Sequence, residues 1–108
     1  MKGDGLIDMI RTIALNEIGG DDDAQEWLDT NFNHPMVVGL LAAAMKQKWG
    51  VTDQWMVERF VFHDMAVEQF VRDLEAFTGE EGLAAEVGEL ANDLASEIVK
   101  RHKESLGR

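Results

Sequence analysis

Apolar positions along this chain recur with a helical period, and nowhere with the two-residue alternation of a strand. The first stripe is Leu6, Ile7, Met9, Ile10, Ile13, Ala14, Leu15 and Ile18. It predicts a helix from Gly5 to Ile18, with Asp4 as N-cap and Gly19-Gly20 as the stop. Asp21, Asp22 and Asp23 then precede a short segment, and carboxylates at that place suit the positive end of a helix. Its buried face would be Trp27, Leu28 and Phe32. Pro35, the single proline, opens a third helix capped by Asn33 or His34 and running to about Trp49. Met36 to Met45 is almost wholly apolar, so this helix is expected to be the most buried.

The fourth segment has the clearest pattern. Thr52 or Asp53 caps it and Gly79 ends it, with no glycine or proline between. Met56, Phe60, Val67, Phe70, Leu74 and Phe77 are spaced by fours and threes, with one gap of seven filled by His63. Residues 53 to 78 therefore read as one amphipathic helix, ~39 Å long at ~1.5 Å per residue. Asp64 and Glu68 stand in the adjoining row with Val57, Val61 and Val71. The last segment, about Glu81 to Ser105, carries a large-residue seam (Leu83, Val87, Leu90, Leu94, Ile98) beside a small-residue row (Ala84, Gly88, Ala91, Ala95), which admits a close neighbour. The expected fold is all-α: one domain, a small helical bundle of four to five helices, dominated by a long antiparallel C-terminal helical hairpin. The two N-terminal helices are about half as long as that hairpin. Any seam they left uncovered would drive self-association, so a homodimer is expected.

Composition narrows the function. The 108 residues carry a formal charge of −11 and contain no cysteine. Thiolate ligands, disulfides and a cysteine nucleophile are excluded. An acidic surface opposes direct contact with nucleic acid or anionic lipid. No apolar run approaches the ~20 residues of a membrane span, and the first residues lack the pattern of a signal peptide, which points to a cytoplasmic protein. The basic cluster Lys100, Arg101, Lys103 and Arg108, with His102 among them, complements the dipole at the end of the last helix.

Three features bear on chemistry. His63, Asp64 and Glu68 put an imidazole and two carboxylates near the middle of the apolar seam, the kind of inward donor set with which helical bundles hold metal. A structural role for His63, fixing register, is the competing reading. Second, Glu86-Val87-Gly88-Glu89-Leu90-Ala91 resembles the first metal-binding motif of the all-α MazG-like nucleotide pyrophosphohydrolases. That resemblance implies Glu86 and Glu89 as magnesium ligands, completed by a Glu-x-x-Asp pair on the next helix, and no such pair follows Glu89. Third, the acidic stretch from Asp21 has Glu26 and Phe32 where a calcium loop needs glycine and glutamate, so it reads as a solvated helix start. No phosphate-binding loop or nucleophile elbow is present. The sequence favours a non-enzymatic interaction or regulatory protein of inhibitor or adaptor type, with a protein partner and no resident cofactor. The alternative is a metal- or small-molecule-binding bundle centred on His63, Asp64 and Glu68.

Overall fold

A computed structural model describes residues 5–61 and 64–107. Among them the chain forms six helices: α1 (Leu6–Glu17), α2 (Asp22–Asn31), α3 (His34–Trp49), α4 (Asp53–Phe60), α5 (Val67–Thr78) and α6 (Ala84–Leu106). Four of the expected boundaries are set by the expected chemistry. Asp21 accepts the Ala24 N–H at 2.8 Å and starts α2. Asn33 accepts the Met36 N–H at 3.1 Å ahead of α3, and Thr52 accepts the Trp55 N–H at 3.1 Å ahead of α4. Gly79 ends α5 at φ 77°, a left-handed conformation that side chains avoid.

The central expectation fails. Residues 53 to 78 are not one helix, because α4 ends at Phe60 and α5 begins at Val67. The two pieces double back, and their side chains meet in reverse order. Trp55 lies against Phe77 (ring centroids 5.7 Å apart) and Phe70 (5.6 Å), and Phe60 against Phe70 (5.2 Å). Arg59 Nε donates to Asp73 Oδ2 at 2.9 Å. In a continuous helix Trp55 and Phe77 would stand ~33 Å apart. The apolar seam is thus folded onto itself, so Met56 and Phe60 share one core with Phe70 and Leu74, all four at most 1% exposed.

α1 is the hub of the molecule. It packs against α6, α3 and α2, and α6 makes its most extensive packing with α1. The small residues Ala91 and Ala95 are buried on α6, as a close neighbour requires. α5 also touches α6, and Glu75 Oε2 on α5 accepts the Leu83 N–H at 3.1 Å where the chain enters α6. Buried side chains from all six helices join in one cluster. α3 departs from expectation: only Val37, Leu41 and Met45 are buried, and Met36 is 52% exposed. Its run of apolar residues encircles the helix, whereas α1 and α4 cover only one side of it. Among the described residues no polar or charged side chain is buried, and no helix is long and apolar enough to cross a membrane.

Candidate functional site

Several polar tertiary contacts meet at the break between α4 and α5. At the end of α4 the Phe60 carbonyl would be an orphan acceptor. His34 Nε2 reaches across from the start of α3 and bonds it at 2.6 Å, which assigns the proton to Nε2. Beyond the break the Met65 carbonyl accepts the Leu6 N–H at 2.9 Å, and Gly5 and Ala66 pair as an isolated antiparallel bridge. Asp64 completes the junction. Its Oδ1 accepts the Ile7 N–H at 2.9 Å and its Oδ2 accepts the Asp8 N–H at 2.8 Å. These are first-turn donors of α1, and the residue at that helix's own N-cap is Gly5, which supplies no side-chain acceptor. Asp64 is therefore the cap of a helix more than fifty residues away, with a negative charge against the positive end of its dipole.

Gly5 is required for this fit. A Cβ built there would fall 2.1 Å from Asp64 Cγ and 2.2 Å from its Oδ2. The carboxylate occupies the space a side chain would need.

Of the three residues expected at a metal site, His63 lies outside the described residues. Asp64 has both oxygens engaged by α1, and Glu68 is exposed on the first turn of α5. The Glu86–Glu89 pair sits on α6, Glu86 half-buried and Glu89 exposed. Among the described residues no three His, Asp or Glu side chains converge as a metal site would require. Among the described residues, Glu86 and Glu89 have no further carboxylate or imidazole beside them that would complete the magnesium set the MazG-like motif implies.

Other polar groups tie helices together. Arg11 on α1 bonds the Asp29 carboxylate, and its Nε donates to the Phe32 carbonyl at 2.9 Å. That guanidinium, aided by Gln25, holds the Asp29 carboxyl below its ordinary pKa. His102 does not stand free in a basic patch. Its ring meets Trp27 edge-on at 4.7 Å and joins α6 to α2. Arg101 pairs with Glu97 one turn back, at 3.1 Å. Lys100 and Lys103 line an open groove of about 540 Å³ with Glu17, Ser96, Val99 and Glu104, a lining of mixed charge that favours neither anion nor cation.

The seams expected to remain open are largely covered. What stays exposed is smaller: Val57 and Val61 on the outer side of α4, Phe77 beside Trp55, Met36, and Leu106 near the end of α6. Sequence reading placed Val57 and Val61 beside Asp64 and Glu68 without distinguishing an inner from an outer row. The fold-back made that distinction.

No family model matches the chain, and no curated protein or solved structure matches it either.

Proposed function

We propose that this chain works by binding: an acidic helical interaction or regulatory protein that pairs with another protein and with a second copy of itself. The observation that carries the reading is the outer face of α4. Val57 and Val61 stand one turn apart there, 43% and 48% exposed, between the exposed polar residues Asp53, Gln54 and Glu58. Neither valine belongs to the buried core cluster, and burial of their exposed surface against a partner would gain about 25 cal/mol per Å². A polar rim around an apolar centre is the usual anatomy of an interface. The net charge of −11 favours a partner with a basic surface and disfavours polyanions.

The test is sedimentation of the purified protein from micromolar to submillimolar concentration, beside the double substitution Val57→Lys/Val61→Lys. Both positions lie outside the buried core cluster, so the variant is expected to keep the helix content of the parent. The parent is expected to associate and the variant to remain a 12.1 kDa species. A parent that stays at 12.1 kDa throughout removes self-association from the reading. Stoichiometric metal in the purified protein, lost in His63→Ala, would replace the whole reading with a metal centre at His63, Asp64 and Glu68.

A further inference from the structure

We infer that the outer side of the α3–α4 pair is a trough for one amphipathic helix of a basic partner protein, which lays its apolar ridge between the two helices. This rests on the reading of the α4 face as an interface. It adds the second wall, the shape of the occupant and its charge.

Two contacts set the geometry of the trough. His34 at the start of α3 bonds the Phe60 carbonyl at the end of α4, and Lys46 late in α3 bonds Asp53 at the start of α4, at 2.9 Å. The two helices therefore run antiparallel, side by side. Helical steps back from Lys46 reach Ala43, Gly39 and Met36, one row on α3. Helical steps forward from Asp53 reach Val57 and Val61, one row on α4. Every residue of both rows is exposed. Of the five large apolar side chains that stand exposed among the described residues, these rows hold three: Met36, Val57 and Val61. Gly39 lies between them. Glycine is a poor helix former, and alanine there would favour the helix more. A Cβ at Gly39 would meet nothing within 4 Å, so no neighbour in the fold requires its absence. With Ala43 it leaves a low floor over which a partner's backbone can come close.

Charge distribution names the occupant. Residues 34–61 hold Lys46, Lys48 and Arg59 against Asp53 and Glu58, a net +1 in a chain of −11, so the rest of the chain carries −12. The trough is apolar and nearly neutral, and its surround is strongly acidic. An apolar ridge enters it without stripping water from a cluster of carboxylates. Cations on the flanks of the same helix meet the acidic surround, beginning with the exposed Glu58 beside Val57, and are drawn to it from a distance. A helix with acidic flanks is repelled by the same field. The eight residues of α4 give the trough a length of ~12 Å. That length takes anchors at i, i+3 or i+4, and i+7 of a docked helix.

The test titrates isotope-labelled protein with a synthetic helical peptide of about 16 residues and maps amide shifts by NMR. The peptide carries leucine at i, i+3, i+4 and i+7 and lysine elsewhere, and its twin has glutamate for lysine. The lysine peptide is expected to give saturable shifts at Met36, Gly39, Ala43, Val57 and Val61, and the glutamate twin to bind at least ~tenfold more weakly. Gly39→Gln fills the floor without changing charge, and it is expected to melt at or above the parent because the space is open and glutamine favours helix. Its affinity for the lysine peptide is expected to fall at least ~tenfold, as is that of Val57→Gln/Val61→Gln. A loss in the valine variant with parental affinity in Gly39→Gln would overturn the trough and leave the α4 face as an interface. Shifts centred on Asp21–Glu26, equal binding of the two peptides, or no saturable shift at millimolar peptide would overturn the proposal outright.

Discussion

Replacing Asp64 by alanine leaves two donors of α1, the Ile7 and Asp8 N–H groups, without their acceptors. Loss of an ordinary N-cap costs ~1 kcal/mol, with a range of about 0.5–2. Here two charge-assisted bonds go together, the site is partly buried, and Gly5 offers no local substitute. The cost should therefore reach about 2–3 kcal/mol, a large share of the roughly 5–15 kcal/mol that holds such a domain together. For a chain of this size that corresponds to a fall of about 10 °C or more in Tm. Urea unfolding in dilute solution, followed by tryptophan fluorescence and helical ellipticity, measures it as a lower midpoint at unchanged slope. Gly5→Ala supplies the control. Its Cβ would collide with Asp64 Cγ, so the carboxylate must leave its seat. The two substitutions then break one device. The double variant should cost little more than the worse single one, far short of the sum. An Asp64→Ala variant within ~0.5 kcal/mol of the parent, or costs that simply add, would refute the assignment of Asp64 as the cap of α1.

Phe70→Ala empties a fully buried site between Phe60 and Trp55, and should cost about 3–5 kcal/mol by denaturant unfolding, with a shift in tryptophan emission; a loss under 1 kcal/mol would mean that α4 and α5 do not close on each other in solution. The Asp29 carboxyl is held below its ordinary pKa of 3.8 by Arg11, so the pair's contribution is present at neutral pH and is lost as pH falls through the depressed folded value. A carboxyl-carbon NMR titration should place the Asp29 midpoint below 3.8 in the parent and return it toward 3.8 in Arg11→Gln; coincident curves would show that the pair does not form.

The helical character of this chain was legible because periodicity and punctuation agree wherever a helix is set by its own residues. Asp21, Asn33, Thr52 and Gly79 each act on a backbone group within four positions, and each does what its type and place imply. The fold-back between Phe60 and Val67 was not legible, because nothing local causes it. Propensity and pattern favour continuing the helix, and propensities differ by only about 0.7 kcal/mol per residue among ordinary residue types. Against that stand the burial of Phe60, Phe70 and Trp55 on one another and the bonds contributed by α1. These are tertiary terms of several kcal/mol, and a window moved along the sequence cannot see them. The same limit explains α3. Its apolar run states that the helix can be buried on any side, and the number of neighbours that reach it decides how many sides are.

Asp64 is the instructive residue. The sequence gives its composition-level signal, a carboxylate beside an apolar seam next to a histidine, and metal chemistry is one way such a carboxylate can be accommodated. The other way was also written in the chain, nearly sixty residues earlier. A helix whose N-cap position is glycine has first-turn N–H groups and no side chain of its own to receive them. A partly buried acceptor near an apolar seam has the complementary deficit. Matching the two deficits pairs Asp64 with the start of α1 without any metal, and it accounts for glycine at position 5, where any side chain would displace the carboxylate. The match also explains why the junction draws in the N-terminal helix at all. α1 completes its hydrogen bonding only when the chain turns between α4 and α5, so formation of the hub helix and closure of the turn support each other.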